Sequence, residues 1–296
     1  MIPRTAFLHR ALVLGCVFSL AGCSALMTVS RLTPDGHHLR TADVAFGGQP
    51  RQQLDVYRPR EQSGPQPVVV FFYGGGWTGG VKEKYRFAAS GLTKRGFVVV
   101  IPDYRVYPEV VFPAFVEDGA AAVRWVVDNI ADYGGDPKQI FIMGHSAGAH
   151  IGALLSFDER YLKRVGVDAA SLVGFIGMSG PYDFLPLDEG YLQQVFPDGS
   201  RAASQPVNFV DGAEAAVLLI HGSGDSTVSA DNARRLAARI QDAGGEVDLA
   251  ILDGAGHARP ALALSPSLRF LAPRVLDYSV AFIHRRATHH ATAATL

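Results

Sequence analysis

Six short runs of apolar residues punctuate this chain. They are Val68–Phe72, Val98–Ile101, Ile140–Ile142, Val173–Ile176, Val217–Ile220 and Leu249–Leu252. Each has strand length, and a continuous apolar strand is one buried on both faces, the mark of a parallel sheet. Residues 41–58 alternate instead and end at Arg58-Pro59, so they read as a first strand pair. Helical spacing fills the gaps. Phe115 to Ile130 carries such spacing and closes near Gly134-Gly135; Asp231 to Ala243 does the same and closes at Gly244-Gly245. Pro266 to Arg286 reads as a C-terminal helix interrupted at Pro273. Strands alternating with helices predict a doubly wound, mostly parallel α/β sheet of about eight strands, with helices on both faces. Ligands of such sheets bind beyond the C-terminal strand ends.

Three segments break the pattern. Residues 24–40 are polar and unpatterned, and read as a tether. Extended at about 3.3 Å per residue, a tether of that length reaches about 56 Å, enough to lift a domain clear of a surface. Residues 181–212 form the longest irregular stretch, rich in Pro, Gly, Asp and aromatics, and are too short for a large cap domain. Residues 287–296 read as a frayed tail.

Composition adds the boundaries. The chain has 296 residues, 48% of them hydrophobic and 19% charged, which suits one large core. Formal net charge is −1, and no basic run or basic-aromatic stripe suggests nucleic acid. Arg4 and Arg10 lie in a positive segment without acids ahead of a short apolar run, Ala11 to Gly22, below the ~20 residues a spanning helix needs. Leu20-Ala21-Gly22-Cys23 then ends a secretory leader and resembles the bacterial lipoprotein box. The implied organisation is a leader over 1–22, a tether over 23–40, one domain over 41–286 and a tail. Removing the leader takes away Cys16 and leaves Cys23 as the one cysteine, so no intrachain disulfide is expected. The expectation is an exported bacterial lipoprotein, lipidated at Cys23 and held to a membrane. An ordinary leader with a chance cysteine is the competing reading.

Candidate chemistry sits where the pattern places ligands. Gly144-His145-Ser146-Ala147-Gly148 reads G-x-S-x-G between a predicted strand and a small-residue helix. A serine on such a turn stands above the sheet edge with its hydroxyl exposed. The N–H of Ala147 then lies at a helix N-terminus, where it can donate to an oxyanion. Tyr73-Gly74-Gly75-Gly76-Trp77 follows the Val68–Phe72 strand, and consecutive glycines let the N–H groups of Gly75 and Gly76 face one acceptor. Asp225 is the one acid in the loop after Val217–Ile220, though a turn or helix-cap role competes for it. His257 alone lies downstream of Asp225 at a strand end. His145 and His150 are expected to pack locally and His221 to structure the Asp225 loop. Ser146 is thus the expected nucleophile, His257 the base and Asp225 its orienting acid. Trp77, Tyr182, Phe184, Leu185 and Phe196 are candidates for the substrate pocket, with a packing role equally open for Trp77. No metal and no cofactor is implied.

These motifs, with Asp103–Glu109 and Gly134-Gly135-Asp136-Pro137, occur in an order that resembles a known family. Over residues 45–285 the chain is similar to α/β-hydrolase esterases of the hormone-sensitive-lipase and feruloyl-esterase-like (BD-FAE-like) branches. Kynurenine formamidase is a relative of that group. The resemblance implies the α/β-hydrolase fold, a Ser146-Asp225-His257 triad, and oxyanion donors at Gly75, Gly76 and Ala147. One departure is visible: the family's glycine motif usually opens with His, and here Tyr73 stands there. The expected function is carboxylic-ester hydrolysis on a small-molecule substrate. A formamidase-type amide hydrolase is the alternative, and a non-catalytic binding protein on a hydrolase fold is a third reading.

Overall fold

The computed structural model describes residues 26–33, 36–187 and 190–293. Cys16, Cys23 and the expected leader lie outside the described residues. Eight strands form one sheet: β1 (His38–Ala45), β2 (Gln53–Pro59), β3 (Gln66–Phe72), β4 (Val98–Pro102), β5 (Gly135–His145), β6 (Leu172–Met178), β7 (Ala216–Gly222) and β8 (Val247–Leu252). Their spatial order is β1-β2-β4-β3-β5-β6-β7-β8. β1 and β2 pair antiparallel, as do β2 and β4, and every later pairing is parallel.

Five longer helices flank the sheet: α1 (Arg86–Thr93), α2 (Ala114–Asn129), α3 (Ala147–Phe157), α4 (Asp231–Asp242) and α5 (Arg274–Ala293). Successive strand residues point to opposite faces, and β5 shows what each face meets. Phe141 contacts Phe282 of α5, while Ile142 lies under Gly152 of α3. β6 repeats the arrangement, with Gly174 beneath Phe282 and Phe175 beneath Gly152. Helices therefore cover both faces, which is why these strands carry no polar alternation.

All six apolar runs lie in strands, and the α2 and α4 patterns match to within a residue or two. Four expectations need correction. β8 is an edge strand with Leu249 40% exposed, because β7 alone pairs with it. The C-terminal helix begins after Pro273, which cannot sit within a helix interior, and it runs on to Ala293, so residues 287–293 are helical and not a frayed tail. α1 was not read from the sequence. Lastly, the segment expected to be a tether is docked. Residues 26–31 are helical, and Ser30, Thr33 and His38 are buried. The Ser30 hydroxyl donates to the Lys84 carbonyl at 2.7 Å, and His37 contacts Ser90.

Helix α3 enters the sheet at very close range. A Cβ at Gly148 would overlap the carbonyls of Phe72 and Tyr73, and one at Gly144 would overlap the Gly148 carbonyl. Gly148→Ala should therefore force α3 away from β3. Overpacking of this kind costs about 1–3 kcal/mol, so the variant's Tm should fall by several degrees in a thermal melt. An unchanged Tm would mean the helix can shift freely.

Candidate active site

The parallel register brings four loops to one sheet edge. Phe72 pairs with Gly144, so the glycine loop after β3 lies beside the serine turn after β5. Gly222 pairs with Leu252, which aligns the loops holding Asp225 and His257. Ser146 sits at φ 56°, a left-handed conformation rare for a residue with a side chain. Its N–H donates to the Met178 carbonyl at 2.9 Å, which fixes the turn to β6.

Ser146, His257 and Asp225 lie in series. Ser146 Oγ is 2.9 Å from His257 Nε2, and His257 Nδ1 is 2.8 Å from Asp225 Oδ2. The other Asp225 oxygen accepts the N–H groups of Thr227 and Val228, each at 2.9 Å. His221 Nε2 lies 3.2 Å from Oδ2 and 2.9 Å from the Val228 carbonyl. Burial opposes ionisation of this carboxyl, but hydrogen bonds from His221 and His257 outweigh it and hold the group well below the usual carboxylate range. The aspartate is an anion, so it fixes the proton of His257 on Nδ1 and leaves Nε2 to face Ser146. Asp225 also orders its own loop, so the turn role weighed from the sequence is present alongside.

Gly75, Gly76 and Ala147 flank the serine. Among the described residues no acceptor takes their N–H groups. The glycine loop is braced from outside. Tyr73, in place of histidine, donates its hydroxyl to Asp103 at 2.6 Å and accepts from Arg51 at 3.0 Å. Tyr104 donates to the Tyr73 carbonyl at 2.7 Å, and Arg105 forks onto the buried carboxylate of Asp118. Asp103 and Tyr104 thus clamp the start of the loop, while Arg105 ties the same strand end to α2.

Two neutral histidines finish the frame. His145 Nε2 meets the His257 carbonyl at 3.0 Å, so Nε2 carries the proton and Nδ1 accepts from the Tyr85 hydroxyl at 3.1 Å. That hydroxyl also accepts the Gly74 N–H at 3.2 Å. Trp77 Nε1 donates to His150 Nδ1 at 3.2 Å, and His150 Nε2 donates to the Ser204 carbonyl at 2.7 Å. Both histidines pack locally, as expected, but each also ties two loops together.

A cavity of about 550 Å³ opens over Ser146. Trp77 and Phe184 line it, their rings stacked at 5.9 Å. Tyr182 and Phe196 do not line it, contrary to expectation. Both are fully buried; Phe196 backs Trp77 edge-on at 4.8 Å, and Tyr182 lies over Gly177 of β6. Leu185 is exposed. The sequence reading missed Leu26, Val29, Tyr191, Leu192 and Val228 on the wall. The i, i+3 spacing of Leu26 and Val29 was the available signal for the first two. Among the described residues no group of three or more His, Cys, Asp or Glu is placed to hold a metal ion.

Burial pushes His145 down to about 3, helped by the neighbouring His257, and pushes His150 down to about 4. In the unfolded chain both revert to about 6.5. Between those values the unfolded chain binds more protons, so stability is lost as pH falls below about 6.5. The Tm should decline steadily from pH 6.5 to 5, before most carboxylates titrate, and His150→Gln should flatten the slope. A level Tm across that window would count against neutral burial.

Comparison with known proteins identifies the family and the fold. The BD-FAE family model matches residues 54–240. The probable isoprenylcysteine alpha-carbonyl methylesterase ICMEL1 of Oryza sativa subsp. japonica is 31% identical, aligning 81% of this chain with 62% of its own length. Esterase LipQ of Mycobacterium tuberculosis is also 31% identical, over 83% of this chain and 63% of LipQ. The chain thus spans about three-fifths of the length of these curated relatives. Among solved structures, a truncated carbohydrate esterase from gut microbiota superposes with a TM-score of 0.73 at 21% identity, covering 86% of this chain and 99% of that one. The carboxylesterase EstE1 from a metagenomic library gives 0.73 at 20% identity, over 88% and 92%. The chain belongs to the BD-FAE family of α/β-hydrolase-fold esterases.

Proposed function

We propose that the protein is a serine carboxylic-ester hydrolase that works through a covalent acyl-enzyme. One observation carries this reading. Ser146, His257 and Asp225 form a hydrogen-bonded series at 2.9 and 2.8 Å, open to a largely apolar cavity and beside N–H groups that meet no acceptor among the described residues. In the first half-reaction Ser146 Oγ attacks the ester carbon while His257 Nε2 takes its proton. The N–H groups of Gly75, Gly76 and Ala147 hold the resulting oxyanion. Collapse expels the alcohol, which takes the proton from His257. Water repeats the sequence and releases the acid. Asp225 holds the imidazole tautomer and stabilises the imidazolium throughout. Trp77, Phe184 and Leu192 favour an apolar group on the ester. The intact series weighs against a non-catalytic binding protein, and a panel pairing nitrophenyl esters with N-formylkynurenine separates ester from formamide hydrolysis.

A fluorophosphonate probe should label the wild type and leave Ser146→Ala unlabelled. His257→Ala should abolish turnover. Asp225→Asn should lower kcat by a factor of up to ~10⁴, since the ring stays in place with the wrong tautomer. Probe labelling of Ser146→Ala would refute the nucleophile.

The second part of the reading concerns place. The chain is proposed to be an exported bacterial lipoprotein carrying acyl groups on Cys23, and two or more such chains give stable membrane attachment. Among the described residues no helix is long and apolar enough to cross a membrane. The wild type should partition into membranes and detergent, and Cys23→Ser should escape lipoprotein processing. A mature N-terminus mapped by mass spectrometry to an unmodified residue beyond Cys23 would replace anchoring with secretion.

A further inference from the structure

We propose that the lipid anchor holds the cavity mouth against the bilayer, so that the enzyme draws its esters from the lipid surface. The proposal rests on the anchored ester-hydrolase reading above. Its own basis is the short distance, along the chain, between the anchor and the cavity. A long free tether would have left the orientation of the domain open. Instead, Leu26 and Val29 are already part of the cavity wall. Only Ser24 and Ala25 separate Cys23 from Leu26. Three peptide steps span at most about 11 Å. The headgroup layer on each side of a bilayer is itself about 5–8 Å deep. Acyl chains on Cys23 therefore keep the wall formed by Leu26 and Val29 at or near the headgroups.

The surface around that wall suits such a neighbour. Leu32, on the same docked segment, is 76% exposed. Leu185 lies between Phe184 and Pro186, two residues that line the cavity, and is itself 41% exposed. Tyr191 lines the cavity and still shows 39% of its surface. Leu185 and Tyr191 thus bring exposed apolar surface to the opening, and Leu32 adds more on the segment that carries Leu26 and Val29. Exposed apolar surface of this kind marks an interaction site, and an aromatic ring with a polar tip is at home at a membrane interface. The docked segment is fixed to the domain by the Ser30 bond to Lys84 and the contact of His37 with Ser90. The anchor therefore orients the whole domain. The fitting substrate class is an ester of a membrane-resident amphiphile whose apolar part leaves the bilayer directly into the cavity.

The test uses the full-length lipidated protein in vesicles of phosphatidylethanolamine and phosphatidylglycerol. Two esters are compared: nitrophenyl butyrate, which is soluble, and methylumbelliferyl oleate, which stays in the bilayer. Inserting a Gly/Ser linker of about sixteen residues between Ala25 and Leu26 adds roughly 20 Å of slack. Turnover of the bilayer ester should then fall about tenfold while the soluble ester is unaffected, because the local concentration at the mouth is lost. Leu32→Glu should act in the same direction, and it covers the case in which the insertion unseats the docked segment. Equal turnover of the bilayer ester in wild type, insertion and Leu32→Glu would overturn the proposal. Loss of soluble-ester turnover in the wild type would indict the hydrolase reading instead. An unmodified Cys23 by mass spectrometry would remove the anchor and with it this orientation.

Discussion

The close approach of α3 to the end of β3 is the constraint on which the site depends. The helix can begin there only because residues 144 and 148 lack side chains. That packing forces Ser146 into a left-handed conformation, which lifts its hydroxyl off the sheet edge and exposes the N–H of Ala147. It also brings the carbonyls of Phe72 and Tyr73 against the helix, so the glycine loop must start beside the serine. One steric fit thus sets the positions of the Ser146 hydroxyl, the Ala147 N–H and the glycine loop together. A glycine-to-alanine change in this region alters the geometry of the turn without replacing Ser146, Asp225 or His257.

Electrostatics divides the histidines by burial. His145 and His150 are excluded from water and stay neutral, each with one nitrogen donating and the other accepting. They serve as struts between loops: His145 links the glycine loop, through Tyr85, to the backbone of His257, and His150 links Trp77 to the irregular segment at Ser204. His257 keeps 20% of its side chain exposed and alone borders the cavity on one side and a buried anion on the other. That ring lies between the Ser146 hydroxyl and the Asp225 carboxylate. Asp225 is held ionised by four donors, so protonating it would cost several hydrogen bonds at once.

The glycine loop shows how a family departure is accommodated. With Tyr73 in place of histidine, the bracing falls to a phenol that reaches Asp103 and Arg51 across the sheet edge. Tyr104 of the following strand-end motif completes the clamp through the Tyr73 carbonyl. The N–H donors belong to the backbone, so the change alters the scaffold behind them and leaves their identity untouched.

The sequence by itself determined the strands, their parallel class and the identity of the three residues in series. Strands buried on both faces must be continuously apolar, and a serine turn this close to its helix must be flanked by glycines, so both leave local marks. It also marked α2 and α4 through helical spacing. What only the tertiary structure decided lies in contacts between distant segments. Whether Trp77, Tyr182, Phe184 or Phe196 meets the cavity depends on which ring stands in front, and residue type gives no local sign of that: Phe184 lines the cavity and Phe196 lies behind. The edge position of β8 depends on the absence of a further strand beside it, not on its own residues. The docking of residues 26–33 depends on an acceptor at Lys84 and a donor at Arg86, more than fifty positions away. A polar, unpatterned stretch looks like a tether until the partner surface that satisfies its hydrogen bonds is in place.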